Sequence, residues 1–361
     1  MTVPRHGGQL HALACEFGLE SSSLIDFSAS ISPYPLPLHV LELMARTAAD
    51  PDVLRLYPDS ESVELRSAVA AYLSVEGESV VVANGVMPLV TAALQALRVR
   101  RCMVVTPSFG GYEDALRIAG VERASFGLSP EREFVLNPPA LIENAIAQQC
   151  DAILVANPHS PSGQTTSRRT MQELCKQASE SSIAMLVDEA FIDFAPQDSV
   201  ADLAMSWRNC VVFRSPTKFF SIPALRVAYA VASPELALHI DQYVHEWPVS
   251  TLAALACAEL LECCEHHAMV RERTVEERLF VFEQLREAGI RVFPSQANFL
   301  LMRTGTTEQG SNLWRSLIAN RGIVLRSCAN FIGLDASYLR FGLRLREENN
   351  KLIEALVEGR V

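Results

Sequence analysis

The chain has 361 residues, 49% of them hydrophobic, and a formal net charge of −11 at pH 7. That length accommodates two domains, or one large domain with a smaller companion, and the acidic balance argues against a nucleic-acid partner while leaving room for a local basic pocket. Nine scattered cysteines without a C-x-x-C pair read as reduced thiols; the first residues lack the apolar core of a secretory leader and no run reaches the ~18 apolar residues of a membrane span, so a cytoplasmic protein free of membrane is expected.

In chain order, an N-terminal arm (1–40) ends in the proline-rich, extended connection Ile31–Pro37, which leads into a first helix. Within a large domain expected over 41–245, from about Ser79 to Phe213, short apolar runs alternate with longer helical patterns: Ser79–Ala83, Cys102–Val105, Ala152–Ala156, Ala184–Val187 and Val211–Phe213. Near-continuous apolar strands separated by helices predict an α/β layer structure whose mostly parallel sheet is covered on both faces. After about residue 245 the pattern changes to one long helix from Thr251 to about Ala288, with room for a break, and then to strands near Asn298–Met302 and Tyr338–Gly342. This predicts a smaller α+β unit over 246–361.

Several of these strands end in polar or small residues, and ligands of open α/β sheets bind at the carboxyl ends of strands. Asn84-Gly85-Val86-Met87-Pro88 joins a strand to a helix, so free amides there can hold a phosphate, although a plain turn reads the same way. Thr106–Tyr112 places Phe109 where its face can stack on a planar ring, or in a core. Asn157–Gly163 is a tight loop that can aim the Asn157 amide at a ring oxygen. Asp188, at the end of an all-apolar strand, is costly to bury without a cationic partner, and a protonated pyridine nitrogen is one. Ser215–Arg226 sets Lys218 between a hydroxyl cluster and an arginine. A lysine amine forms a Schiff base with an aldehyde, and hydroxyls with a guanidinium clamp a phosphate; taken alone, the string also fits a solvated lysine in a loop.

Together, in order and spacing, these strings resemble the pyridoxal-phosphate aminotransferase superfamily of fold type I, over nearly the whole chain. The resemblance implies a large domain with a mostly parallel seven-stranded sheet, a smaller α+β domain, and pyridoxal 5'-phosphate as cofactor. It makes Lys218 the Schiff-base lysine and Asp188 the partner of the pyridinium nitrogen. Asn157 would bond the ring hydroxyl and Phe109 would stack on the ring. Ser215, Thr217, Arg226 and the amides of Gly85, Val86 and Met87 would hold the phosphate. Tyr57, in Leu56-Tyr57-Pro58-Asp59, resembles the tyrosine such enzymes lend to the neighbouring subunit's cofactor, which implies a homodimer.

The two ends of the chain narrow the branch. Arg5-His6-Gly7-Gly8, the string Arg326 to Asp335 and the string Tyr338 to Arg344 look like the threonine-phosphate decarboxylases of cobalamin biosynthesis, close cousins of the histidinol-phosphate aminotransferases. Phe191, where the aminotransferases usually carry tyrosine, points the same way. By resemblance the substrate would meet His6, Gly7, Ser30, Asn157, Arg326 and Arg340, which suits a small amino acid with a second, phosphate-like charge. Departures fall on that side of the site: Gln9, Ser30 and Ser32 stand where the decarboxylases usually have asparagine, and His159-Ser160 replace an asparagine pair. The expected activity is decarboxylation of a phosphorylated or phosphonate L-amino acid, with transamination as the alternative. Cys263-Cys264-Glu265-His266-His267 lies in a helical stretch where neighbours point apart, so no metal is expected. Arg344 is expected to form a structural ion pair or to serve as a third anion ligand.

Overall fold

A computed structural model describes residues 4–359. Seven strands form one sheet: β1 Val80–Ala83, β2 Arg101–Thr106, β3 Glu122–Gly127, β4 Ala152–Ala156, β5 Ala184–Asp188, β6 Cys210–Arg214 and β7 Ala228–Val231. Their order is β1-β7-β6-β5-β4-β2-β3, parallel throughout except that β7 runs antiparallel between β1 and β6. Five of the seven match apolar runs in the sequence. β3 escapes that reading because it is an edge strand interrupted by polar residues: Glu122 and Ser125 are exposed and Arg123 is half-buried. β7 escapes it because Ala-Tyr-Ala-Val is short and directly follows the Arg226 loop.

The sheet is apolar on both faces because helices cover both. On one face Leu89, Val90 and Leu94 of α1 (Val86–Ala96) and Tyr112 and Leu116 of α2 (Gly111–Ala119) pack against Val81, Val104, Leu154 and Val211. On the other, Leu141, Met171 and Leu174 meet Met103, Ile153 and Met185. Side chains two apart on a strand thus serve one face, as the pleat requires.

The expected long helix is two: α3 (Thr251–Glu262) and α4 (Cys264–Glu287), broken at Cys263, whose ψ of 63° leaves the helical range. A second sheet, all antiparallel, orders β10-β11-β9-β8 from β8 Arg291–Val292, β9 Phe299–Arg303, β10 Arg326–Ser327 and β11 Tyr338–Gly342. The N-terminal arm packs with it. Ile25–Asp26 pairs in parallel with Ile323–Val324, the Gly342 amide donates to the Phe27 carbonyl at 2.7 Å, and Leu13, Leu24 and Phe27 share a core with Leu300, Phe341 and Leu352. No helix among the described residues is long and apolar enough to cross a membrane.

Candidate active site

Asn84, Pro107, Asn157 and Ser215 follow parallel strands, and Asp188 closes one, so all five stand along one edge of the seven-stranded sheet. Because β7 runs the other way, Arg226 reaches the same edge just before that strand begins. Here Gly85 has φ +100°, a region L side chains avoid, and a Cβ built on it would lie 2.9 Å from Arg226 Nη2. α1 starts there with no side-chain cap, so its first amides are free to receive an anion. Ser215 and Thr217 place their buried hydroxyls 2.7 Å apart on the neighbouring turn. The corner is a concave cradle of amides, two hydroxyls and one guanidinium.

Lys218 follows on the short helix Pro216–Phe219. Burial, then the charges of Arg340 and Arg226, pull its ammonium down to about 8, against a smaller opposing pull from Asp188. No hydrogen bond engages its amine among the described residues. Asp188 is 6% exposed. Its Oδ2 accepts from the Tyr112 hydroxyl at 2.6 Å and its Oδ1 from the Ala190 amide at 2.9 Å. Burial still raises its pKa, while those bonds and Lys218 oppose the rise. A carboxylate so placed favours a cation brought against it.

Behind Asp188 lies a buried ionic cluster that sequence reading missed. Arg214, at the end of β6, donates to Glu189 at 3.1 Å and to Asp193, all three at most 2% exposed. Glu189 also accepts from the Ser199 hydroxyl and the Val200 amide, both at 2.7 Å. The signal was there to read: an arginine closing an apolar strand needs acids nearby, and Glu189 and Asp193 both flank Asp188 on its C-terminal side. Tyr112 was missed as the partner of Asp188 because helical spacing marks it only as core.

Asn157 stands beside Asp188, its amide N–H donating to the Asp188 carbonyl at 2.8 Å. Its side chain braces its own loop: Nδ2 donates to the carbonyls of Thr166 (3.0 Å) and Asp198 (3.3 Å), and Oδ1 accepts from the Thr166 amide (2.9 Å). Both amide hydrogens are therefore engaged, and a bond to a ring oxygen requires exchanging one. His159 is also internal, bonded to the Ser162 hydroxyl and the Pro107 carbonyl at 2.7 and 2.8 Å, and burial lowers its pKa to about 4.

The second sheet supplies the opposite wall. Arg340 of β11 and Arg326 of β10 are direct cross-strand partners. Arg340 donates to Ser160 Oγ at 3.0 Å, lies over the Phe299 ring at 4.9 Å, and forms no ion pair among the described residues. Burial brings its pKa down to about 10, and its Nε is buried without a partner. The hydroxyls of Ser30 and Ser32, both on the N-terminal arm, are likewise buried and unpartnered. Each orphaned group costs about 1–3 kcal/mol, a cost a ligand can relieve. Arg326, expected to grip an anion, is instead loaded with the carbonyls of Pro4, Arg5 and Ser327 and with Asn330 Oδ1, at 2.5–3.1 Å. Its role in this geometry is to hold the arm. His6 follows on that arm, its ring 5.5 Å from Phe109. Gly7 passes so close to the arm's next segment that a Cβ on it would meet the Ser28 carbonyl oxygen at 2.3 Å.

Tyr57 and Arg344 have other partners within the chain. Tyr57 is 77% exposed and stacks on Trp247 at 4.5 Å, with no contact to the Lys218 cluster within the chain. Arg344 forms an ion pair with Glu348 at 3.0 Å and donates to the Asp26 carbonyl, so its partners lie within the fold. What remains around Lys218 fits a flat aromatic aldehyde bearing a phosphate: a glycine cradle a methyl group would fill, paired hydroxyls, and a buried carboxylate in want of a cation.

Comparison with known proteins agrees. The family model for aminotransferase class I and II matches residues 22–356. The chain is 31% identical over 358 residues to a threonine-phosphate decarboxylase of Salmonella typhimurium, covering 97% of this chain and 95% of that protein. It is 28% identical over 341 residues to a histidinol-phosphate aminotransferase of Archaeoglobus fulgidus, covering 93% of each. The crystal structure of histidinol-phosphate aminotransferase from Clostridium acetobutylicum superposes with a TM-score of 0.83 at 26% identity, over 93% of this chain and 98% of that one.

Proposed function

Because this chain belongs to the aminotransferase class I and II family, with its fold type I architecture and its pyridoxal phosphate cofactor, we propose that it is a decarboxylase of a small L-amino acid carrying a phosphate or phosphonate, with L-threonine O-3-phosphate as the leading substrate. The observation that carries this reading is Arg340: a part-buried guanidinium facing the lysine, bonded to Ser160, stacked on Phe299 and unmatched by any carboxylate among the described residues. A second anionic group on the substrate is what such a group recognises.

In this reading the Gly85, Val86 and Met87 amides, Ser215, Thr217 and Arg226 hold the cofactor phosphate, Phe109 covers the ring and Asp188 faces its nitrogen. When bound, pyridoxal phosphate would supply an electron sink for one bond at the substrate's α-carbon. The chain's part is to choose that bond. Arg340 and Ser30 would hold the distal anion and so orient the substrate, presenting the bond between its α-carbon and its carboxylate; carbon dioxide would leave and the bonding electrons would stay with the α-carbon. Lys218 Nζ then returns a proton to that carbon, a transfer suited to an amine brought down to about 8. Phe191, packed edge-on against Phe299 at 4.9 Å, offers no hydroxyl to compete for that proton. In a homodimer, Tyr57 reaches from one subunit toward the cofactor phosphate of the other.

Transamination is the second reading, favoured by the histidinol-phosphate aminotransferase relatives and served by the same lysine. Incubating the cofactor-loaded protein with L-threonine O-phosphate, L-serine O-phosphate and a phosphonate amino acid, with and without a 2-oxo acid, separates the two. Carbon dioxide and an amine formed without acceptor are expected. Acceptor-dependent formation of a new amino acid with no carbon dioxide overturns the decarboxylase reading.

A further inference from the structure

Arg5 is bound from two directions. Its guanidinium pairs with Asp114 on α2 at 2.6 Å, on the side of the seven-stranded sheet. Its carbonyl accepts from Arg326 at 2.8 Å, on the second sheet, and from Asn330 Nδ2 at 3.3 Å. The preceding carbonyl, of Pro4, takes a further bond from Arg326 at 3.1 Å. Three residues on, the Gly8 amide donates to Ser28 Oγ at 2.9 Å. Between these anchors His6 rests against Phe109, and Gly7 is pressed against the Ser28 carbonyl with no room for a methyl group. The other hydrogen bonds of this segment run to Arg326, to Asn330 in the loop after β10 and to Ser28 of the arm; the Asp114 pair and the His6 ring are what tie it to α2 and the loop before it.

We propose that Pro4–Gly8 is a strap closed across the Lys218 site, and that Asp114, acting through Arg5, is the positioning residue that holds His6 over Phe109. Arg326 is the fixed hinge of this strap, buried and bonded to main-chain oxygens that do not titrate. Asp114–Arg5 is its latch: an ion pair between side chains 33% and 60% exposed, of the strength that opens and closes readily. Release of the latch frees the His6 ring to move off Phe109 while the Arg326 and Ser28 anchors on either side hold the main chain, so substrate enters on the α2 side. The inference rests on Lys218 carrying the cofactor, and its test has one arm that does not.

In the cofactor-loaded protein, hydroxylamine captures the lysine-bound aldehyde carbon as an oxime and the visible absorbance decays at a rate set by access to the site. Asp114→Ala is expected to speed that decay about two- to fivefold, the population change that one part-exposed ion pair holds back. Asp114→Glu restores the parent rate. Gly7→Ala, which forces the strap off Ser28 without touching a charge, speeds the decay as well. Independently, trypsin cleavage after Arg5 in the cofactor-free protein is faster in Asp114→Ala than in the parent. Parent-like capture and cleavage in Asp114→Ala overturn the strap. A parent protein with no visible band overturns the cofactor reading instead, and the trypsin comparison then decides the strap alone.

Discussion

In the proposed reading the site has two corners for anions, and they are built in opposite ways. The cofactor corner is made of main-chain amides, the Ser215 and Thr217 hydroxyls and Arg226, all on turns at one edge of one sheet. The substrate corner is made of side chains brought from far apart in the chain: Arg340 from the second sheet, Ser160 from the β4 loop, Ser30 from the arm. The first is shaped by backbone geometry, so its ligand is fixed by the fold. The second is shaped by rotamers and leaves buried atoms unpartnered, so its ligand can change with a few substitutions.

Lys218 lies between the corners, and removing it should disable both. Lys218→Ala is expected to cut kcat/KM by about 10³-fold or more and to abolish the visible band of lysine-bound cofactor, with the far-ultraviolet circular dichroism unchanged. Asp188→Asn addresses the cofactor corner alone. Turnover should fall on the order of 10²-fold, yet the cofactor-free protein should be no less resistant to urea, because a neutral amide is cheaper to bury than a carboxylate.

The comparison is sharpest in a pair of arginine variants. Arg226→Gln should weaken cofactor retention, and Arg340→Gln should raise KM for the phosphorylated amino acid while leaving cofactor affinity in place. Each loss should be about 2 kcal/mol, roughly thirtyfold, read by equilibrium dialysis of the cofactor and by initial rates. If Arg340→Gln instead releases cofactor, the two corners are one site and the distinction fails. Gly85→Ala is a milder test of the backbone-built corner. The strained φ and the approach to Arg226 should cost about 1 kcal/mol, near a fivefold loss of cofactor affinity.

One effect is on pH. In the cofactor-free fold Lys218 titrates near 8, against an ordinary value of 10.5, so between those values the unfolded chain binds more protons than the folded one. Stability therefore rises with pH across that window by this contribution, and the cost of burying the ammonium is present in full below it. Urea midpoints of the cofactor-free protein measured from pH 7.5 to 10.5 should climb, and Lys218→Met should flatten the slope.

The two corners also differ in how far the sequence discloses them. Gly85, Ser215, Thr217 and Lys218 are legible because each lies where a strand pattern stops, and Arg226 because it closes the same short string as Lys218, so the chemistry of each string is local. Five strands of the main sheet were legible for the same reason, through unbroken apolar runs. The substrate corner is not local. Nothing in the neighbourhood of Arg326 in sequence says that Pro4 and Arg5, more than three hundred positions away, will occupy its donors. Asn157 illustrates the remaining gap: its type and place suggest a ligand, whereas its partners, Thr166 and Asp198, belong to a loop whose path only the fold defines. Arg214, Glu189 and Asp193 were each visible as charges near apolar runs, but their pairing depended on β5 and β6 being neighbours.

The reversed strand has a consequence for the order in which the molecule is made. β1, the strand that leads into the Gly85 turn, is bonded within its sheet only to β7, and β7 is the last strand of that sheet to be synthesised. While β2 through β6 can pair side by side as they emerge from the ribosome, β1 must wait, with no sheet partner, until the segment after Arg226 is available to sit between it and β6. The phosphate cradle is therefore the final part of the sheet to close, and a nascent chain has no place to hold its cofactor until the whole sheet is complete.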